Sequence, residues 1–253
     1  MRAASFTLDS NHLLAEKLQE KGFDSSASTL IQIFYPYSDI TAPQQILASI
    51  KESLPNSHVV AIPVLAGLYR GSVVDNRAVV SAIQFEDADV RVESVTIANN
   101  KTLPDSYALG EQLARSVISS RTRLVFCYTA GNRINAENLA KGLSQRNPRI
   151  TLAGSVTSHP QHLPILLTDK GISQGAVAIA IDSDRIWPTI YHSNDWMMLG
   201  TPLTITEGRL NTVSSINKEP ARLVYQRYLG EDTQEKLNGS CARFPLLMER
   251  DEK

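Results

Sequence analysis

The chain has 253 residues, 42% hydrophobic and 20% charged, with a formal net charge of −1. That length suits one large domain or two small ones with a sizeable core, and the balanced charge gives no electrostatic footprint for nucleic acid or an anionic membrane. No apolar run approaches the roughly 20 residues of a membrane span, the start MRAASFTLDSNHLL has no signal-peptide pattern, and Cys127 and Cys241 form neither a disulfide framework nor a metal spacing, so a cytoplasmic chain with free thiols is expected.

In chain order, Ala3 to Leu8 reads as a strand, and Asp9-Ser10-Asn11 opens a helix through Glu20 that Gly22 stops. Ser28 to Tyr35, STLIQIFY, is an apolar and β-branched strand. Asp39 to Leu54 has the spacing of an amphipathic helix with Ile46, Leu47, Ile50 and Leu54 on one side, and His58 to Val64 is a short buried strand. Ala78 to Phe85 and Val90 to Ile97 both alternate around Glu86-Asp87-Ala88-Asp89, which predicts a hairpin. Pro104 to Ser119 is a helix with Asp105 in an acidic first turn, Thr122 to Tyr128 a buried strand, and Asn135 to Gln145 a helix. Arg149 to Leu152, Pro164 to Thr168, Gly175 to Ile181 and Arg185 to Tyr191 complete a strand-rich stretch.

The run SNDWMMLGTPLTITEGRLNTVSSINKEPARLVYQRYLG from Ser193 to Gly230 adds a half-buried strand around Leu203 and Ile205, a Glu207-Gly208 turn and a returning strand to Ile216. Asn217 is then expected to cap a helix that Pro220 starts and Gly230 ends. βαβ segments come first, hairpins interrupt them and an antiparallel stretch follows. The expected class is α/β with α+β character: layered α/β with a mixed parallel/antiparallel sheet and flanking helices. A soft boundary falls near residues 195 to 200.

Few residues carry recognisable chemistry. Gly67-Leu68-Tyr69-Arg70-Gly71-Ser72 is the richest loop: its glycines permit tight turns, Arg70 could pair a carboxylate or phosphate, and Tyr69 could stack. The competing reading is a surface turn with a solvated arginine, since the loop lacks the end of a phosphate-binding P-loop. His159 and His162 form an H-x-x-H pair without nearby ligands other than Asp169, and a solvated loop is favoured over a metal site. Cys127, in LVFCYT, reads as a buried structural thiol. No nucleophile-and-base constellation appears, so an enzyme is not expected.

The order of Trp196, Gly200, Pro202, Thr206, Pro220, Ala221 and Tyr225 resembles the join between the two halves of a FIST domain (F-box and intracellular signal transduction), where a tryptophan-to-threonine strand leads to a Pro-Ala-x-x-x-Tyr helix. Asn217-Lys218 stands where the family has Asp-Gly. The likeness extends through residues 28 to 85 and 122 to 230, and divides the chain into an N-half domain at 1–195 and the beginning of a C-half domain at 196–253. It implies a sensory module that binds a small ligand and signals to a histidine kinase, a chemotaxis receptor or a cyclic-di-nucleotide enzyme (a diguanylate cyclase or phosphodiesterase). By position in the family's glycine loops and at the junction, the implied ligand residues are Tyr69, Arg70, Asn76, Ser155, Thr157 and Thr206. No cofactor is expected. The alternatives are a ligand-free interaction scaffold and a haem-based nitric oxide sensor using His192. Two departures bear on specificity: the family's Gly-Cys-Ser-Thr-x-Gly-Glu-Ile loop is Ala61 to Leu68 here, and its Gly-Gly-x-Ala-x-Asp loop is Ala153 to Ser158, so both carboxylates are missing.

Overall fold

The structure is a computed structural model describing residues 1–8, 14–25, 27–37, 47–48, 50–98, 103–157, 164–191, 197, 200–209, 212–230 and 246. It divides into two compact units, Met1–Ile190 and Tyr191–Lys253. In chain order the first unit carries β1 (Arg2–Leu8), α1 (Leu14–Glu20), β2 (Thr29–Pro36), β3 (Ser57–Val64), β4 (Gly67–Tyr69), β5 (Ser72–Val74), β6 (Ala78–Gln84) and β7 (Asp89–Thr96). There follow α2 (Ser106–Val117), β8 (Thr122–Ala130), α3 (Ala136–Ser144), β9 (Thr151–Thr157), β10 (Leu166–Thr168), β11 (Gly171–Ser173) and β12 (Gly175–Asp182). Of the expected Asp39–Leu54 helix, residues 47–48 and 50–54 are described, and all but Leu54 are helical.

The fold is α/β with mixed parallel and antiparallel pairing, and the mixture occurs in two sheets. A six-stranded sheet has the order β1-β6-β2-β3-β10-β11 and a four-stranded sheet the order β7-β12-β8-β9. Each contains one parallel pair, β2 with β3 and β8 with β9. Strand alternation builds the layers. On β2, Ile31, Ile33 and Tyr35 pack with Leu14 and Leu18 of α1, while Leu30 and Phe34 face the other sheet. On β12, Val177, Ile179 and Ile181 point into the inter-sheet layer, and Ala176, Ala178 and Ala180 face the layer of α2 and α3. Small residues on that outer face let the helices lie close. The result is two stacked sheets with helical residues on both outer sides.

Helices α2 and α3 approach backbone to backbone. A Cβ at Gly110 would lie 2.3 Å from the Leu139 carbonyl oxygen, and one at Gly142 would lie 2.2 Å from that of Tyr107. Asp105 is the N-cap of α2, not part of its first turn: its Oδ1 accepts from the backbone N–H of Tyr107 and Ala108. Asn135 caps α3 in the same way through Asn138.

Two sequence expectations fail here. The strands at 78–85 and 90–97 do not form a hairpin. Both edges of β6 are occupied, by β1 and β2, so β7 crosses to the other sheet and pairs with β12. Phe85 and Ala88 bury themselves between the layers at this crossing. Residues 185–191 form no strand. They run without ladder partners, with Trp187 stacked on the Arg123 guanidinium and Arg185 paired with Asp87. Just before them, Asp182 accepts from Thr122 Oγ1 at 2.6 Å and Ser119 Oγ at 2.8 Å and pairs with Arg91, so the buried carboxylate is satisfied.

The second unit contains β13 (Ile205–Arg209), β14 (Thr212–Ile216), β15 (Glu219–Pro220) and α4 (Ala221–Leu229), with the three strands in that order. Among the described residues of this unit, Ile216 and Val224 are the buried apolar ones. β13 is exposed along its whole length, contrary to the half-buried strand expected from its alternation. Asn217 does not cap the helix. It and Lys218 sit at φ 50° and 66°, the left-handed pair of a tight turn, and Asn217 Oδ1 accepts from the Thr204 N–H at 2.8 Å. Pro220 takes the N-cap position.

Two stability outcomes follow from these contacts. Gly142→Ala forces a methyl into the Tyr107 carbonyl and is expected to lower unfolding free energy by about 1–3 kcal/mol in urea melts. Lys218→Gly relieves a left-handed lysine and is expected to stabilise the second unit by about 0.5 kcal/mol after the added chain entropy, with Lys218→Ala neutral. A thermal melt in which the glycine variant unfolds earlier than the alanine variant contradicts this reading of the turn.

Candidate functional site

The two sheets of the first unit differ in width, and the crevice is the part of the wider sheet's inner face, at β1 and β6, that stays open to solvent. In β1, Ala4, Phe6 and Leu8 face the α1 layer, so Ala3 and Ser5 lie on the inter-sheet face, where both are exposed. The same face of β6 carries Val79, Ser81 and Ile83, of which Ser81 and Ile83 are half-buried. The β4–β5 hairpin covers part of this surplus face: a Cβ at Gly67 would lie 2.5 Å from Val79 Cγ2, and the Tyr69 hydroxyl donates to the Ser5 carbonyl at 3.4 Å. Phe34 and Phe126 are also half-buried in this layer.

A polar pair crosses the layer deeper in. Gln32 Nε2 donates to the Tyr128 hydroxyl at 2.8 Å, joining β2 of one sheet to β8 of the other, and both residues are buried. Phe34 meets the Tyr128 ring edge-on, with centroids 6.4 Å apart. Burial pushes the Tyr128 phenol up, and the hydrogen bond from Gln32 pulls it down. Sequence reasoning passed over this pair. Its signal was Gln32, the one amide in the apolar run LIQIFY.

The structure places the sequence-derived residues as follows. Tyr69 ends β4 and is half-buried. Arg70 and Gly71, at φ 50° and 78°, form the two-residue turn to β5, and Arg70 is exposed with its guanidinium over the Tyr69 ring. The loop at 67–72 is therefore a hairpin. Asn76 is exposed at φ 57° in the connection to β6. The strand expected to stop at Leu152 continues to Thr157, so Ser155 and Thr157 belong to β9, the edge of the four-stranded sheet. Ser155 is exposed and pairs in register with Tyr128, on the crevice side. Thr157 is buried. Its Oγ1 donates to the Thr129 carbonyl at 2.9 Å, and burial raises the Tyr37 phenol nearby, with Thr157 opposing. Tyr35 beside it is raised by burial and by Tyr37, and its hydroxyl donates to the Ile165 carbonyl at 2.6 Å. Thr206 lies in the second unit, in a shallow depression with Glu207, Ser214, Ser215 and Lys218, where its Oγ1 meets Ser215 Oγ at 2.8 Å and accepts from the Lys218 N–H at 2.9 Å. His159, His162, His192 and Trp196 lie outside the described residues.

The strand at 151–157 depends on a glycine. Gly154 has φ 151°, and a Cβ there would lie 1.7 Å from the Cys127 carbonyl oxygen. Cys127 is half-buried on the helix-facing side of β8, and desolvation pushes its thiol up to about 12. A second shallow groove, lined by Lys51, Asn56, His58 and Asp89 among others, is occupied by internal pairing: Lys51 meets Asp169 at 3.1 Å. Burial lowers the His58 pKa there, with Asp169 opposing. Among the described residues no group of three or more His, Cys, Asp or Glu could hold a metal ion, and no helix is long and apolar enough to cross a membrane.

Two stacked mixed sheets with helical residues on both outer sides define an α/β domain. Residues 29–219 match the model of the FIST N domain, and the chain belongs to the FIST family, a family of sensory signal-transduction domains. No curated protein matches its sequence.

The raised thiol gives a direct check on this side of β8. In a Cys241→Ser chain at pH 8, Cys127 is expected to react with a disulfide reagent at least about a hundredfold slower than free cysteine, and at the free rate in guanidinium. Equal native and denatured rates contradict it.

Proposed function

We propose that the chain is a non-catalytic, cytoplasmic sensory domain that binds a small ligand in the inter-sheet crevice. It would report occupancy to a signalling partner: a histidine kinase, a chemotaxis receptor, or a diguanylate cyclase or phosphodiesterase. The observation that carries this reading is membership of the FIST family over residues 29–219. The crevice is the proposed place because apolar Ile83 and polar Ser5 and Ser81 stand together on its open face, the mixture a ligand site needs. Tyr69, Arg70 and Asn76 on the hairpin side and Ser155 on β9 are the proposed contacts at its rim, with Thr157 buried farther along β9. Neither group carries a carboxylate, which favours an uncharged or anionic ligand over an amine.

Native mass spectrometry of the purified full chain, with an absorption spectrum and a thermal-shift screen of metabolites on the same sample, tests this. A retained or added small molecule that raises the melting temperature by about 2 °C or more is the expected result. A Soret band would replace this reading with the haem sensor. A clean apo mass and a flat screen would replace it with the interaction scaffold.

A further inference from the structure

The edges of the two large sheets are β1, β11, β7 and β9. Short length and charged side chains protect an edge from an added strand. β11 has three residues, β7 carries Asp89, Arg91 and Glu93, and β1 starts at Arg2. β9 has neither protection. Thr151–Thr157 is seven residues long, TLAGSVT, without charge or proline. Its Gly154, Ser155 and Val156 are exposed, Val156 at 45%.

The ladder fixes where its backbone groups point. The Gly131 N–H donates to the Thr157 carbonyl at 2.7 Å, and Thr157 is in register with Ala130. Alternate residues of a parallel strand turn both groups to the same neighbour. Thr151, Ala153, Ser155 and Thr157 therefore bond β8, while Leu152, Gly154 and Val156 point their N–H and C=O groups away from it. Among the described residues no strand receives them. Groups on every second residue repeat at about 6.6 Å, which matches an extended peptide.

The sheet mismatch leaves space beside this edge. β11 meets β7 where Ser173 Oγ donates to the Val95 carbonyl at 2.8 Å, and β2 meets β8 at Gln32 and Tyr128. With the sheets aligned in that sense, β6 and then β1 lie on the β9 side, and Ala3 and Ser5 of β1 are exposed on the inner face. A second copy pairing through its own β9 would bring its wider sheet to this same place, against β1. A single extended segment has no such conflict. Its inward side chains would meet Ala3, Ser5, Ser81 and Ile83, a face without charge, so small or apolar residues suit them.

We propose that the outer edge of β9 is a docking site for a partner protein, which adds one extended segment as a fifth strand of the four-stranded sheet. The segment exchanges backbone hydrogen bonds with Leu152, Gly154 and Val156, has no proline at the bonding positions, and turns small or apolar uncharged side chains towards β1. This goes beyond the small-ligand reading and does not depend on it.

The test selects a displayed library of short random peptides against the full chain and titrates the selected peptides into isotope-labelled protein. Peptides of this pattern are expected, and their binding is expected to slow hydrogen exchange at the Leu152, Gly154 and Val156 amides at least about tenfold, with Ala153 and Ser155 little changed. Val156→Pro removes an outward N–H and spares the β8 ladder, and is expected to weaken binding at least about tenfold. If that variant lacks a native melt, Ser155→Lys, which sets a charge on the inner face, replaces it with the same expectation. Selection of no peptide, unchanged binding to the folded variant, or protection that misses the three amides overturns the proposal. So does a wild-type chain that sediments as a dimer with those three amides already protected, which makes a second copy the occupant.

Discussion

The shared apolar layer between the two sheets is the constraint on which the rest of the first unit depends. Leu30, Val60, Ile62, Leu166, Val177, Ile179 and Ile181 all meet there, each 2% exposed or less. Full burial of such a side chain contributes about 1.5–3 kcal/mol, so neither sheet is stable with this face in water. The requirement explains why β7 leaves β6 and joins the other sheet. It also explains why β12 is apolar on both faces, with large residues inward and alanines outward. Helices α2 and α3 then close the outer face, and their approach at Gly110 and Gly142 is as tight as backbone atoms allow.

Six strands cannot be covered by four. The surplus falls at β1 and β6, and the chain treats it in two ways. The β4–β5 hairpin folds back over Val79, and Ala3, Ser5, Ser81 and the half-buried Ile83 occupy inward positions beyond it. The crevice is thus a consequence of sheet width, not an added feature. Its polar pair sits where β2 and β8 face each other, one strand in from β6 and one in from β9. A buried hydrogen bond between sheets also fixes their relative register, since any slip would separate Gln32 from Tyr128 and strand both in an apolar layer.

How much of this was legible in the sequence depended on whether a signal was local. β2, β3, β8 and β12 announce themselves as apolar runs, and Asn135 and Gly230 mark helix ends as their chemistry requires. The α/β class with mixed pairing followed from element order. Partner choice did not follow. Alternation in residues 78–85 and 90–97 reports two faces per strand and says nothing about which edges are already taken. At Asn217 the side-chain chemistry was suggestive of a cap, but a left-handed turn uses the same residue type, and only the bond to Thr204 distinguishes them. The candidate site residues came from the family likeness alone. The glycine-loop likeness led to Tyr69 and Ser155, which the structure places on the hairpin and on the edge strand beside Tyr128. Gln32 and Tyr128 lie 96 positions apart, and no spacing rule links them.

The altered family loops and the buried pair can be read as one arrangement. In residues 61–68, the family pattern offers hydroxyls and a carboxylate. Here Ile62 and Val64 of that stretch are drawn into the inter-sheet layer, and Gly67 begins a hairpin whose contact with Val79 leaves no room for a side chain. In residues 153–158, Gly154 is held against the Cys127 carbonyl, and the strand continues straight through the position of the second loop. Neither stretch carries the carboxylate of the family pattern, and each is tied to its neighbours through close contact at a glycine. Regular strands hold their side chains in fixed directions, so Gln32 and Tyr128 stay paired across the layer while Ser155 remains exposed on the edge strand beside them.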